Sequence, residues 1–177
     1  MLAEHIASQI YENFAFEPTP AQKNAIDRLG GFLCGDAQDR IFILNGYAGT
    51  GKTSLIAALV KTLSGLRVRT ILLAPTGRAA KVMSRYAGAK AYTIHKKIYR
   101  QKSLASEDAS FSLDYNKEKG AVFIVDEASM LSNYSSDGSI FGSGQLLEDL
   151  IAYIRKGCDC RLIVVGDSAQ LPPVGHD

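Results

Sequence analysis

A glycine-rich turn, GYAGTGKT at residues 46–53, carries the clearest chemical signal in the chain. Gly46, Gly51, Lys52 and Thr53 match the pattern G-x-x-x-x-G-K-[ST], and they stand between an apolar run and a helical segment, as that pattern requires. Glycines let successive backbone N–H groups face one phosphate, and the start of the helix adds its positive end. The turn therefore predicts a site for the phosphates of a nucleotide. The expected nucleotide contacts are Gly46, Ala48, Gly49, Thr50, Gly51, Lys52, Thr53 and Ser54.

Side chains with catalytic potential occur in this turn and at the end of a later apolar run, VFIVDE. We expect Lys52 to bridge β- and γ-phosphate oxygens, and the Thr53 hydroxyl to coordinate Mg²⁺. Asp126 can hold the water shell of the same Mg²⁺, and Glu127 beside it can orient and polarise an attacking water. A glutamate in that position favours a hydrolase over a kinase.

The elements that would position these residues are four apolar runs of strand length alternating with helical segments. The runs are RIFILNG, VRTILLAPTG, AVFIVDEAS and CRLIVVGD. Helices are predicted at residues 6–16, at 21–33 after an N-cap at Thr19 and Pro20, at 52–65, at 78–86 and at 145–156. This alternation predicts an α/β fold, a mostly parallel sheet with helices on both faces. Ligands of such sheets bind at the carboxyl ends of the strands, where each run here turns polar.

Composition places the chain among ordinary globular domains. Its 177 residues are 46% hydrophobic and 21% charged, which suits one domain with a substantial core. Because no apolar run approaches the roughly 20 residues that span a bilayer, we expect no membrane partner and a cytoplasmic location. Cys34, Cys158 and Cys160 lack the spacing of a zinc site and are expected to be reduced thiols without a metal or redox role.

Charge is unevenly distributed along the chain. From Lys61 to Lys102 there are eleven Lys and Arg and no Asp or Glu, while the remainder carries nine basic and eighteen acidic residues. A solvated basic face is one interpretation of this stretch. The other is a track for a polyanion, above all a phosphate backbone.

The motifs together resemble superfamily 1 helicases, specifically the 5′-to-3′ group of RecD-like and Dda-like enzymes. The matching segments, in family order, are TPAQ, GYAGTGKTS, LLAPTGRAAKVM, TIHKKI, VDEASM and VVGDSAQLPPVG. The resemblance implies a RecA-like P-loop NTPase domain, ATP and Mg²⁺ as substrate and cofactor, single-stranded DNA as partner, and a place in DNA repair or recombination. It also implies a single motor domain, with N-terminal helices at 1–35, a P-loop core at 36–100 and 120–177, and a small polar insertion at about 101–119.

Further residue roles follow from this resemblance. Gln22 looks like the glutamine that reads adenine, since an amide can pair with both N6 and N7. Gln170, with Asp167 before it, looks like the catalytic glutamine that senses the γ-phosphate and links hydrolysis to the DNA surface. The expected DNA contacts are Pro75, Thr76, Gly77, Arg78, Thr93 and His95. From the residues alone, His95 is equally well a core side chain, and Tyr86, Tyr92 and Tyr99 are core or surface rings more than base-stacking ones.

The resemblance also sets an expectation for the isolated chain. Helicases of this group carry a second motor domain with an arginine finger, which is absent here, so we expect ATP binding with very slow hydrolysis and no unwinding. Two other functions stay open. One is a PhoH-like ATPase, although the segments TIHKK and TPAQ favour the helicase. The other is a stand-alone ATP-dependent nucleic-acid-binding module.

Overall fold

A five-stranded parallel sheet forms the centre of the protein in a computed structural model, which describes residues 2–35, 40–101, 111–131 and 141–167. The sheet order is β1-β7-β6-β2-β3, and a separate antiparallel pair is formed by β4 and β5. The strands are β1 (Ile41–Asn45), β2 (Thr70–Ala74), β3 (Ala91–Thr93), β4 (Tyr99–Gln101), β5 (Phe111–Leu113), β6 (Val122–Val125) and β7 (Arg161–Gly166).

Six α-helices and one 3₁₀ turn connect and cover these strands within the described ranges. Thr19 caps the second helix in a full capping box, with Pro20 at its first position, so the predicted start is confirmed. The helices are α1 (Leu2–Asn13), α2 (Pro20–Cys34), α3 (Lys52–Gly65), α4 (Gly77–Ala87), α5 (Ile94–Ile98) and α6 (Leu146–Lys156), and the 3₁₀ turn is Ala128–Met130.

The strand side chains alternate between two apolar cores, one on each face of the sheet. In β6, Val122 and Ile124 pack with α1, α2 and α3, whereas Phe123 and Val125 pack with α5 and α6. All four of these side chains are buried. Because helices cover both faces, the strands are apolar throughout, and the predicted α/β class with a parallel sheet is confirmed.

Several details differ from the sequence-based expectations. The first helix spans Leu2–Asn13 instead of 6–16, and at its end the Asn13 side chain donates to the Gln9 carbonyl. The short elements β3, α5 and β4 are not among the sequence-based predictions. Part of the polar segment at about 101–119 forms β5.

The small sheet is fastened to the rest of the domain by aromatic rings and ion pairs. Phe141 stacks on Phe111 at 4.6 Å between ring centroids, and it also contacts Tyr99. Glu118, just after β5, accepts hydrogen bonds from Lys97 at 2.9 Å and Arg69 at 3.4 Å. These cations hold the pKa of Glu118 below its usual value despite the opposing effect of burial.

Adjacent glycines in α2 provide a test of helix packing. A Cβ at the buried Gly30 would lie 2.5 Å from the Ala3 carbonyl oxygen of α1, whereas a Cβ at the exposed Gly31 meets nothing within 4 Å. We expect Gly30→Ala to lower the free energy of unfolding by about 1–3 kcal/mol, because the two helices must separate. Gly31→Ala should raise it by up to about 1 kcal/mol through helix propensity. Urea unfolding of both variants checks the pair, and equal shifts would contradict the close packing.

Two further observations concern the helices and the thiols. Within the described ranges, no helix is both long and apolar enough to cross a membrane. Cys34, Cys158 and Cys160 carry free thiols, and Cys160 is buried.

Candidate nucleotide site and nucleic-acid surface

The phosphate-loop sequence forms a tight turn between β1 and α3. Gly49 and Gly51 both adopt φ of 80°, a left-handed conformation that residues with a Cβ rarely adopt. The Gly46 N–H donates to the Gly166 carbonyl at 3.3 Å, which ties the loop to the end of β7. The turn thus brings the loop to the carboxyl ends of two neighbouring parallel strands, β1 and β7.

Lys52 begins α3 and its side chain folds over the loop. The Nζ atom donates to the carbonyls of Gly46 and Tyr47, the second at 2.7 Å. The Thr50 hydroxyl donates to the same Tyr47 carbonyl at 2.8 Å. The ammonium group is therefore held among the backbone atoms of the loop, where it can reach a phosphate bound by the loop's N–H groups.

Gln22 connects the start of α2 to the loop through both atoms of its amide. Its Oε1 accepts the Thr19 N–H at 2.8 Å, and its Nε2 donates to the Thr50 carbonyl at 2.9 Å. A Cβ at Gly51 would lie 2.4 Å from that Nε2, so the glycine leaves room for the amide. Adenine reading by Gln22 stays a prediction.

Two cavities flank the loop. One of about 700 Å³ is lined by Phe16, Gln22, Tyr47 and further residues of the loop and of the α1–α2 connection. The other, of about 550 Å³, is lined by loop residues from Ala48 to Thr53 together with the end of β6, the turn after it and the end of β7. The residues with candidate roles that line it are Lys52, Thr53, Asp126, Glu127 and Asp167.

The carboxylate of Asp126 is held on both oxygens. Oδ2 accepts the Tyr86 hydroxyl at 2.5 Å, and Oδ1 accepts the backbone N–H of Glu127 at 2.8 Å. Burial and the hydrogen bond to Asp126 raise the pKa of Tyr86 well above its usual value, so Tyr86 remains protonated and donates. Its role at this carboxylate was missed from the sequence, because Tyr86 and Asp126 are 40 positions apart and no spacing rule joins them.

Glu127 occupies an unusual backbone position directly after Asp126. Its φ of 54° and ψ of 37° are left-handed, which is uncommon for a residue with a side chain. It precedes the 3₁₀ turn Ala128–Met130 and is exposed. Strained backbone of this kind clusters at functional sites, and here it turns the chain away from β6 at the edge of the cavity.

The chemistry of these groups fits a magnesium nucleotide. Mg²⁺ is usually bound through one or two protein oxygens, with substrate phosphates and water completing its shell. Thr53 and Asp126 offer such oxygens at one cavity, and Lys52 offers the cation that phosphates need. In the part of the chain that the structure describes, no group of three or more His, Cys, Asp or Glu could hold a metal by itself.

The candidate DNA contacts lie at the carboxyl ends of β2 and β3. These strands are paired so that Ala74 is opposite Thr93, which brings the two segments side by side. The Thr76 hydroxyl caps α4 by accepting the Ala79 N–H at 3.1 Å, and the Thr93 hydroxyl caps α5 by accepting the Lys96 N–H at 3.3 Å. Gly77 and Arg78 are exposed, and Pro75 is half-buried.

His95 is the candidate that lies deepest among protein atoms. Its ring packs against Tyr99 and Phe141 with centroids 5.7 and 5.1 Å apart. Burial lowers the pKa of His95, which favours the neutral ring at physiological pH. The ring therefore serves the attachment of the small sheet, and its contact with DNA stays a prediction. Gln170 and the prolines after it lie outside the described residues.

Comparisons with known proteins identify the family of this chain. A family model described as an AAA domain matches residues 18–177. The chain is 30% identical over 163 residues to the ATP-dependent RecD2 DNA helicase of Deinococcus radiodurans, covering 89% of this chain and 19% of that protein. It is 32% identical over 134 residues to the ATP-dependent DNA helicase dda of enterobacteria phage T4, covering 74% of this chain and 28% of the phage protein. The chain thus spans less than a third of either relative.

A solved structure of low sequence identity supports the fold. The crystal structure of the HK97 bacteriophage large terminase matches with a TM-score of 0.53 and 14% identity, covering 93% of this chain and 37% of the terminase chain. At this identity the likeness concerns the fold alone. Together with the family match and the curated relatives, these observations place the chain in the AAA domain family, among the RecA-like motor domains of superfamily 1 helicases.

Proposed function

We propose that this chain is the ATP-binding motor domain of an ATP-dependent DNA helicase of the 5′-to-3′ group. The observation that carries the proposal is the single cavity lined by Lys52, Thr53, Asp126 and Glu127 at the carboxyl ends of three neighbouring strands. Because the chain spans less than a third of its helicase relatives, translocation and unwinding are proposed for an assembly that also contains a second motor domain. For that assembly we propose a cytoplasmic role in DNA repair or recombination.

The proposed binding mode uses the loop as the phosphate cradle. Backbone N–H groups between Gly46 and Ser54 bind the phosphates, and Lys52 exchanges its loop carbonyls for β- and γ-phosphate oxygens. Thr53 and Asp126 would hold Mg²⁺, the aspartate through water. When bound, Mg²⁺ neutralises charge on the phosphates during transfer. Gln22 reads adenine from the cavity of about 700 Å³, which its side chain lines.

The proposed hydrolytic step assigns Glu127 to the water. Its carboxylate orients the attacking water and takes its proton, while Asp126 lies beside it at the end of β6. Asp167 lines the same cavity at the end of β7, which supports a γ-phosphate role for the segment that continues to Gln170. No arginine lines this cavity within the described ranges. We therefore propose that the arginine finger comes from the second motor domain and that the isolated chain hydrolyses ATP slowly.

The proposed DNA surface is the edge formed by the starts of α4 and α5. Arg78 and Lys81 are exposed in the first half of α4, and Lys96 is exposed on α5. Cations, capped helix starts and exposed glycine are typical groups for contacts with a phosphate backbone. This surface belongs to the stretch from Lys61 to Lys102, whose charge is entirely positive. Pro75, Thr76, Gly77 and Thr93 complete the proposed contacts.

Single-stranded DNA binding at several salt concentrations, together with ATP turnover, tests the proposal. We expect binding that weakens with salt, and a logarithmic salt slope reduced by about 0.7 in Arg78→Ala, because one phosphate contact is lost. Arg155→Ala is the matched control, since Arg155 is exposed on α6 across the sheet. Fluorescence anisotropy measures both variants. Equal slopes for wild type and Arg78→Ala would exclude this DNA surface, and salt-independent binding would exclude the DNA-binding function.

ATP turnover with and without single-stranded DNA completes this test. Slow turnover is the expected result for the isolated chain, because no arginine finger reaches the cavity from the described residues. Strong DNA-stimulated turnover would contradict the proposed dependence on a second motor domain. It would mean instead that copies of this chain supply the arginine to one another.

A further inference from the structure

The helix that begins at the proposed DNA surface ends at the proposed magnesium carboxylate. Thr76 and Arg78 lie at the first turn of α4, and Tyr86 lies in its last turn. An 11-residue helix is about 16 Å long and behaves as a stiff rod on this scale. One rigid element therefore touches both regions to which the proposed function assigns binding.

Tyr86 is positioned between α4 and two elements of the nucleotide site. Its hydroxyl donates to Asp126 Oδ2 at 2.5 Å, at the end of β6. The same side chain lines a cavity of about 620 Å³ together with Thr53 and Ser54 of the first turn of α3. Tyr86 thus lies beside both proposed magnesium residues, although its sequence position gives no sign of this.

The hydrogen bond limits how the Asp126 carboxylate can turn. With Oδ1 committed to the Glu127 N–H and Oδ2 to Tyr86, neither oxygen can rotate without losing a partner. Partners of this kind fix the orientation and basicity of a ligating carboxylate. Because hydrogen bonds weaken steeply with distance and angle, a small displacement of α4 would change the orientation of this carboxylate.

We propose that Tyr86 is a positioning residue for Asp126, through which single-stranded DNA at the start of α4 and magnesium nucleotide at the loop influence each other's binding. The inference rests on the proposed function and adds to it a residue and a route. Such a coupling must be reciprocal: if DNA changes the affinity for nucleotide, nucleotide must change the affinity for DNA by the same factor.

Tyr86→Phe keeps the ring and removes only the hydroxyl. We expect nucleotide binding in EDTA to match wild type, while the Mg²⁺ concentration that gives half of the magnesium-dependent gain in affinity rises about 10-fold. In turnover assays kcat should fall with little change in KM. Titration of a fluorescent ATP analogue against Mg²⁺ measures the first effect without any hydrolysis. Unchanged Mg²⁺ dependence, or an equal loss in EDTA, would overturn the inference.

The coupling has its own measurement at equilibrium. The affinity for single-stranded DNA is measured with and without magnesium and a non-hydrolysable ATP analogue. The ratio of these two affinities should differ from one in wild type and approach one in Tyr86→Phe. The DNA affinity without nucleotide should stay unchanged. A wild-type ratio of one, or an unchanged ratio in the variant, would overturn the route through α4.

Tyr11→Phe is the matched control for the same chemical change. Tyr11 also donates to an aspartate, Asp27 at 3.0 Å, but it joins α1 to α2 and lines neither cavity beside the phosphate loop. It should keep wild-type Mg²⁺ dependence, and a loss equal to that of Tyr86→Phe would contradict a specific role for Tyr86. If nucleotide binding by the wild-type chain were absent or did not depend on Lys52, the proposed function would fail and the inference with it.

Discussion

Replacing Lys52 with alanine should weaken the binding of magnesium ATP by about 10²- to 10⁴-fold. Two charge-assisted hydrogen bonds to phosphate oxygens would be lost, and each such bond contributes about 1.5–3 kcal/mol net of the hydrogen bonds to water that it replaces. The fold should persist, because Lys52 is only partly buried and its present partners are two loop carbonyls that water can satisfy. Equilibrium titration with a fluorescent ATP analogue measures the loss, and thermal unfolding verifies the fold.

Lys156→Ala is a suitable control for this experiment. Lys156 is an exposed lysine at the end of α6, on the opposite face of the sheet from α3. It should bind nucleotide as wild type does. Retention of affinity by Lys52→Ala would mean that the glycine-rich turn does not bind phosphate through its lysine, and the assignment of the whole cavity would fail with it.

Glu127→Gln should separate hydrolysis from binding. We expect single-turnover hydrolysis to slow by about 10²- to 10⁴-fold, because the amide cannot take a proton from the attacking water. Nucleotide affinity should remain within a few-fold of wild type, since Asp126, Thr53 and Lys52 are unchanged. The substitution keeps the size of the side chain at the left-handed position, where φ is 54°.

Rapid quench with the protein in excess over labelled ATP resolves this rate even for a slow chain. Glu12→Gln, an exposed change on α1, is the control and should hydrolyse at the wild-type rate. Equal rates for Glu127→Gln and wild type would reassign the base to another residue. A parallel loss of binding would instead assign Glu127 to magnesium coordination.

The central layers of the fold could be predicted because their signals are local. Apolar runs such as that ending at Asp126 are strands buried on both faces, and a capped start such as Thr19-Pro20 fixes where a helix begins. Polar residues at the strand ends lie at one edge of the sheet, and the binding roles assigned to them stay predictions. Lys52, Thr53, Asp126 and Glu127 do line one cavity there.

What the sequence did not reveal depends on contacts between distant segments. The three-residue strand β3 is too short for an alternation pattern and exists through its pairing with β2. The hydrogen bond from Tyr86 to Asp126 depends on how α4 lies against the sheet, which no periodicity encodes. The sequence leaves His95 open between a core side chain and a DNA contact, and its aromatic neighbour Phe141 is 46 residues away.

The two hydrogen bonds of the Gln22 amide limit which substitutions this sequence can tolerate. Its oxygen belongs to the cap of α2 and its nitrogen to the Thr50 carbonyl, while Gly51 leaves the space in which it fits. A change at Gln22 would remove its side-chain hydrogen bond in the α2 cap and its hydrogen bond to the phosphate loop at the same time. The beginning of α2 and the glycine-rich turn are therefore constrained to vary together, although 28 positions separate Gln22 from Thr50.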